Sequence, residues 1–149
     1  MTNPADSGIM DSGGGEMGNE QHIPVDSERF ARMQLAFERQ GGIIQRSSEN
    51  DVYLDWQGAG ASTSNAKEIS FRSDREPTTT EVFEEFIHTA QFRQGRLSSS
   101  NRIEMEIEAK EKLIKNQKAY KIPEHEHINT LKQLEQYKNA LNQKRGGDI

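Results

Sequence analysis

The chain of 149 residues contains no cysteine, so disulfides, thiolate-bound zinc and a cysteine nucleophile are all excluded. Long hydrophobic runs are also missing. No window approaches the roughly 18 consecutive apolar residues of a transmembrane helix, so the sequence predicts no membrane-spanning segment. The N-terminus has no basic stretch followed by an apolar one, and no secretory signal peptide is predicted. With 32% hydrophobic and 29% charged residues, the composition fits one small domain with a modest core.

The chain also has no excess of basic residues. The net charge is −5. Residues 1–22 contain no lysine or arginine, and their four acids account for −4 of that charge, which leaves −1 for the remainder. These acids are Asp6, Asp11, Glu16 and Glu20. Domains that bind nucleic acid usually show a basic excess or a basic stripe, so nucleic acid is not favoured as a partner.

Residues 1–22 are rich in glycine, serine, aspartate and asparagine and include Gly13-Gly14-Gly15. Such a segment cannot bury enough apolar surface to offset the entropy lost on ordering. We predict a flexible acidic linker over residues 1–22, or a processing remnant, and a single compact domain over residues 23–149. A linker that leads into a small terminal domain also indicates that a larger protein lay upstream.

The remaining sequence predicts an α+β fold: one N-terminal helix, a small sheet of about three strands, and three further helices. Asp26 is a helix N-cap residue, and Phe30, Met33 and Phe37 follow it at helical spacing. The pair at positions 41–42 is Gly-Gly, which ends this helix. Helix, sheet and helices are therefore expected in that order.

Three strands and one loop are predicted after the first helix. Short strands are expected at Ile43-Ile44 and over residues 52–56, where apolar residues alternate and Trp56 is assigned to the core. Residues 58–65 are rich in glycine and serine and predict a loop. Apolar and polar residues alternate again over residues 67–72, which predicts the third strand.

Three helices are predicted to follow the sheet. Thr78 and Glu81 have the spacing of a capping box, so the first of these helices begins at Thr78 and ends near Arg93. The second spans about residues 101–120. The third begins at Pro123 and has an apolar seam at helical spacing.

The helix over residues 78–93 carries Glu84, Glu85 and His88 on one side. Positions four apart share a helix face, so Glu84 and His88 can bind one ion while Glu85 takes a proton from water. The usual form of such a helix in metallo-hydrolases is His-Glu-x-x-His. Here Glu84 replaces the first histidine. A set of ligands with more carboxylates is harder in the acid–base sense, so the metal preference of the site shifts from zinc toward Mn or Fe.

Two other interpretations of these residues stay open at the level of sequence. Glu84, Glu85 and His88 can form a solvated helix face, with an ordinary attraction between Glu84 and His88 at i and i+4. A Glu-x-x-His helix also occurs in di-iron bundles. A di-iron site needs a second such helix, which this sequence does not supply.

The next helix carries a Glu-Ala pair that begins at Glu108, 20 residues after His88. The order of strand, Glu84-Glu85-x-x-His88 helix, turn and Glu-Ala helix resembles the gluzincin or minigluzincin class of zinc peptidases. The resemblance implies a minimal zincin-like fold in which Glu84, His88 and Glu108 bind a divalent metal, zinc first and Mn or Fe as alternatives. It implies that Glu85 is the general base, and that the strand over residues 67–72 is the edge strand that aligns substrate.

Three further residues are candidates for binding substrate. Gln91 lies one turn beyond His88, and Arg72 and Arg93 lie on either side of the helix in sequence. The two arginines suit an anionic substrate. The alternative interpretation is that they balance the local acids.

Residues 82–93 and 108–114 also resemble the C-terminal effector domains of bacterial polymorphic toxins, such as those of Rhs-type or contact-dependent systems. This resemblance implies delivery from a larger secreted carrier, action in a target bacterium, and a cognate immunity protein in the producer. The expected function is a metal-dependent, peptidase-like hydrolase that acts as a toxin. Two alternatives are a zincin-fold pseudoenzyme or interaction module, and a nuclease or transferase toxin that uses the Glu/Glu/His helix as acid and base without metal.

Overall fold

The computed structural model describes residues 22–147 and has the predicted α+β architecture. The predicted linker over residues 1–22 lies outside the described residues apart from His22. Within residues 22–147, no helix is both long and apolar enough to cross a membrane. In chain order the elements are α1 (Ser27–Arg39), β1 (Ile43–Gln45), α2 (Ser48–Gln57), β2 (Ala61–Asn65), β3 (Glu68–Phe71), α3 (Thr79–Arg93), a 3₁₀ turn (Ser99–Asn101), α4 (Arg102–Lys115), α5 (Gln117–Tyr120) and α6 (Glu124–Gly147).

The sheet has the strand order β1-β3-β2, with β1 parallel and β2 antiparallel to β3. The strand predicted over residues 67–72 is therefore present as β3, but it is central, and its assignment as the edge strand is wrong. The edge beside α3 is β2, in a segment that was predicted as a loop. Its sequence Ala-Ser-Thr-Ser-Asn has no apolar alternation. Small side chains there allow α3 to pack closely across the sheet.

The segment that was predicted as a strand over residues 52–56 is helical and belongs to α2. Ser47 caps the N-terminus by accepting a hydrogen bond from the backbone N–H of Asn50, and Gly58 ends the helix with φ of 69°. The two caps favour a helix more strongly than the alternation of only three apolar residues favours a strand. Leu54 packs inward, whereas Trp56 is 79% exposed, so its assignment to the core is wrong.

Two apolar clusters lie on either side of α3. The first joins Phe30 and Phe37 of α1 to the inward residues of the sheet and to Val82. Phe30 meets Phe71 edge-to-face, with ring centres 5.4 Å apart. The second cluster lies between α3 and α4 and consists of Ile87, Ala109, Leu113 and Ile122. Because α3 is covered on both sides, its polar residues are buried as well.

The start of α3 is confirmed at the predicted capping box. The Thr78 hydroxyl accepts from the N–H of Glu81, and the Glu81 carboxylate accepts from the N–H of Thr78. Arg75 pairs with the same carboxylate at 2.7 Å. This end of the helix is therefore held by local contacts that the sequence already contains.

We expect Gly42→Ala to destabilise the fold, because a Cβ at Gly42 would lie 2.5–2.6 Å from three ring atoms of Phe37. Overpacking of this kind lowers the free energy of unfolding by about 1–3 kcal/mol. Gly146→Ala is the matched control, since an added Cβ there meets no atom within 4 Å. Urea unfolding measures both variants. Equal midpoints for the two would contradict the close packing of Gly42 on Phe37.

Candidate metal centre

The acidic and imidazole groups of α3 are buried. Glu84, Glu85 and His88 are 1%, 2% and 7% exposed. The solvated-face interpretation is therefore wrong, because β2 covers one side of α3 and α4 covers another. Buried groups of this kind are retained only where partners or an ion compensate them.

Glu84 and His88 are brought together with Glu106 of α4. His88 Nε2 lies 3.9 Å from Glu84 Oε2 and 3.5 Å from Glu106 Oε2. One ligand atom from each residue lies within 4.8 Å of the other two, so this group could hold a metal ion. Ligand atoms at about 2.0–2.2 Å from a tetrahedral ion are about 3.4 Å apart. The His88–Glu106 pair is close to that separation, and the Glu84–His88 pair is slightly wider.

Glu108, which was predicted as the third ligand, does not face this group. It forms an ion pair with Arg96 and accepts a hydrogen bond from Gln91 Nε2 at 2.8 Å. Residues two apart on a helix point in nearly opposite directions, so α4 can direct only one of Glu106 and Glu108 inward. The buried residues Met105 and Ala109 mark the inward face, and Glu106 lies on it. In the sequence this pattern is only a weak signal for Glu106, because the face of α4 that turns inward is known only once its packing against α3 is known.

Gln91 orients the imidazole of His88. Its Nε2 donates to the carbonyl of Met105 at 3.0 Å and to Glu108 Oε1 at 2.8 Å, so its oxygen must face His88 Nδ1, which lies 2.8 Å away. Nδ1 therefore carries the proton and donates, and Nε2 is turned toward the two carboxylates. Metal-binding histidines are oriented in this way by an acceptor behind the ring. Gln91, predicted to bind substrate, is 1% exposed and contacts His88 instead.

Lys110 of α4 is a fourth member of the cluster that the sequence analysis did not identify. It is 0% exposed, and its Nζ lies 2.5 Å from Glu84 Oε2 and 4.0 Å from Glu106 Oε1. Lysine is almost never fully buried unless it is paired. Its position four residues after Glu106 on the inward face was the only signal in the sequence. The centre therefore contains a cation supplied by the chain itself.

Glu85 points to the sheet rather than to α4. The hydroxyl of Thr63 in β2 donates to Glu85 Oε1 at 2.6 Å and fixes the carboxyl beside the edge strand. Burial raises the pKa of Glu85 to about 8, and the negative charge of Glu84 acts in the same direction. Glu85 therefore keeps its proton at neutral pH.

The pKa values of Glu84 and His88 shift in opposite directions. Burial opposes the charge of Glu84, but the charge of Lys110 and a hydrogen bond from His88 outweigh it and lower the pKa of Glu84 to about 2. Burial also opposes the charge on His88, but Glu106 and Glu84 outweigh it and hold the His88 pKa well above its usual value. His88 must lose a proton before it can bind metal.

The two predicted substrate-binding arginines lie elsewhere. Arg72 pairs with Asp55 at 2.6 Å and with Asp74 at 2.9 Å, which holds it against α2. Arg93 is exposed in the last turn of α3. Arg72 therefore balances nearby acidic residues, as the alternative interpretation predicts.

Comparison with known proteins returns no relative: no family model, no curated protein and no solved structure matches the chain. The zincin-like and toxin assignments thus rest on the resemblance of short segments. The candidate metal site rests on the geometry of Glu84, His88 and Glu106.

The raised pKa of Glu85 predicts that folding stability falls as pH rises. The folded carboxyl keeps its proton up to about pH 8, whereas the unfolded one loses it near its ordinary pKa, so the folded state binds more protons between these values. The contribution is complete below the ordinary pKa and is lost as pH rises through about 8. His88 acts in the same direction. Glu85→Gln removes only the part due to Glu85, which is at most about 1.4 kcal/mol per pH unit.

Urea unfolding at about pH 6 and about pH 8.5, on either side of the pKa of Glu85, measures this effect. The loss of stability between the two conditions should be smaller in Glu85→Gln than in the wild type. Glu111→Gln, an exposed carboxylate on α4, is the control and should keep the wild-type loss. The same loss in the wild type and in Glu85→Gln would rule out a protonated Glu85 in the fold.

Proposed function

We propose that the chain is a divalent-metal-dependent, peptidase-like hydrolase in which Glu84, His88 and Glu106 bind the ion and Glu85 is the general base. One observation carries the proposal. Among residues 22–147, no donor hydrogen-bonds to Glu106 Oε1, although this oxygen is buried. An unsatisfied carboxylate oxygen in the interior is unfavourable. A metal ion that Glu106 binds through both carboxylate oxygens would compensate it, and the other oxygen, Oε2, already lies 3.5 Å from His88 Nε2.

The donor set fits a divalent ion of intermediate hardness. Two carboxylates and one imidazole suit Mn, Fe and zinc, and Gln91 already holds the imidazole with Nε2 directed to the site. When bound, such an ion polarises a scissile carbonyl and makes an attacking water more acidic. The chain supplies three ligands, which is the number found in catalytic sites that keep one position open for substrate or water.

Glu85 has the environment of a general base. Once ionised, Glu85 could accept a proton from water, and its raised pKa would help it to hold that proton and pass it to the leaving group. A divalent cation nearby would lower this pKa toward the working range, because an opposite charge favours the ionised carboxyl. Thr63 holds the carboxyl in one orientation through the 2.6 Å hydrogen bond.

The edge strand β2 supports a peptide as the substrate class. Within the described part of the chain, β2 pairs only with β3, so its other edge faces away from the sheet. An extended peptide can add to such an edge through backbone hydrogen bonds. Since Thr63 belongs to β2 and contacts Glu85, a peptide added there would lie beside the general base.

We further propose that the hydrolase is an effector domain delivered from a larger secreted carrier into a target bacterium. The producer would then hold a cognate immunity protein. The support for this step is the resemblance of residues 82–93 and 108–114 to polymorphic-toxin domains. No residue of the metal centre requires it.

A metal-free acid–base enzyme is the second candidate function. It is favoured by Lys110, whose ammonium already neutralises Glu84. With Glu85 and His88 both protonated at neutral pH, the site could donate protons to a leaving group and receive them back. Metal binding separates the two candidates.

The first test compares Glu106→Gln with Glu108→Gln. Isothermal titration calorimetry of the wild type with Mn²⁺ and with Zn²⁺ should show binding at one site. Glu106→Gln should weaken it about a hundredfold or more, since loss of a ligand exceeds the roughly 10–100-fold effect of losing an outer partner. Glu108→Gln keeps an oxygen for Gln91 and should bind nearly as the wild type does. A larger loss in Glu108→Gln than in Glu106→Gln would overturn this choice of ligand.

The second test is toxicity on expression in bacteria. Glu85→Gln should abolish growth inhibition, because a positioned base contributes about 10²–10⁴ in rate, and Glu108→Gln should preserve it. Toxicity that is unchanged by both Glu85→Gln and His88→Ala would exclude catalysis at α3. Toxicity that requires Glu85 in a protein that binds no metal would favour the metal-free candidate.

A further inference from the structure

Lys110 and a metal ion would compete for the same oxygen. The ammonium of Lys110 lies 2.5 Å from Glu84 Oε2, and this same oxygen faces His88 Nε2 at 3.9 Å. An ion bound between Glu84 and His88 would therefore lie next to the ammonium in a site that excludes water. Two cations that close repel strongly where solvent screening is weak. Both cannot remain on one carboxylate oxygen.

Lys110 has an alternative position within reach. Its Nζ lies 5.8 Å from the centre of the Tyr137 ring on α6, which is already within the range of a cation–π contact. The four-carbon stem of lysine is flexible, so the ammonium can move away from Glu84 while its stem stays between α4 and α6.

We propose that Lys110 is the resident cation of the centre and that a divalent metal binds only by displacing its ammonium from Glu84 toward Tyr137. This inference rests on the proposed function, because it assumes that Glu84, His88 and Glu106 are metal ligands. If the proposal holds, Lys110 sets the metal affinity of the site, because the ion must break the existing ion pair between Lys110 and Glu84. Lys110 also keeps the anionic donor set compensated before metal arrives.

The test measures metal affinity after the lysine charge is removed. Isothermal titration calorimetry with Mn²⁺ and with Zn²⁺ is run on the full chain as wild type, Lys110→Met and Lys115→Met. Lys110→Met should bind at least about tenfold tighter than the wild type, because no ion pair has to be broken. Lys115 is exposed on the same helix, and Lys115→Met should bind as the wild type does. Equal or weaker binding by Lys110→Met overturns the inference.

A second variant guards against loss of folding. Lys110→Met takes away the nearest cation of the buried Glu84 and leaves it with His88, whereas Lys110→Gln is neutral and can still donate a hydrogen bond to Glu84. Lys110→Gln should show the same gain in affinity. A thermal melt adds an independent measurement: Mn²⁺ should raise the melting temperature of each neutral variant more than that of the wild type, since the ion binds only the folded state. Equal metal-induced shifts would contradict displacement.

The outcomes separate this inference from the hydrolase proposal. Equal affinity in the wild type and in both neutral variants overturns displacement and leaves the hydrolase proposal in place. Binding by the neutral variants alone overturns both proposals for the native chain, because Lys110 would then block the site instead of giving way to the ion. Absence of binding in all three proteins overturns both.

Discussion

The buried ion pair between Glu84 and Lys110 is the interaction on which the rest of the interior depends. It joins α3 to α4 with both charges removed from water. Removing one partner of such a pair destabilises a fold by about 3–5 kcal/mol, whereas replacing both by apolar residues is often neutral or stabilising. The pair is therefore a poor device for stability alone. An interior that contains a charged pair beside two apolar clusters is unusual. Such local exceptions to ordinary core packing are expected at functional sites.

A second chain of contacts connects the protein surface to the centre. Arg96, which is partly exposed, pairs with Glu108, and Glu108 accepts from Gln91. Gln91 in turn accepts from His88 Nδ1. Glu108 thus helps to orient the His88 imidazole indirectly, through the side-chain amide of Gln91. This explains how a glutamate at the position expected for a ligand can help to orient His88 without facing Glu84 and Glu106.

Features that depend on neighbours in sequence could be predicted, and features that depend on how elements pack could not. The start of α3 follows from the Thr78–Glu81 capping box, and the Glu84–His88 pair follows from a spacing of four on one helix. The choice of Glu106 over Glu108 depends on the rotation of α4 relative to α3, which is a tertiary property. Strand β2 lacks apolar alternation and is held by β3 and α3. α2 has a residue that caps each end, but its short alternation of apolar residues led to the prediction of a strand.

The glutamate at position 84 cannot be understood apart from Lys110. In a His-Glu-x-x-His helix the corresponding residue is a neutral imidazole, which would take away the carboxylate nearest to the buried Lys110 ammonium and leave Glu106 Oε1 at 4.0 Å. A buried ammonium that loses its nearest carboxylate is strongly unfavourable in the interior. Glu84 and Lys110 are therefore one unit, and histidine at position 84 would require a neutral residue at position 110. Glu84 is thus more than a replacement for a histidine ligand, because in this fold it is a buried carboxylate whose charge the Lys110 ammonium already neutralises.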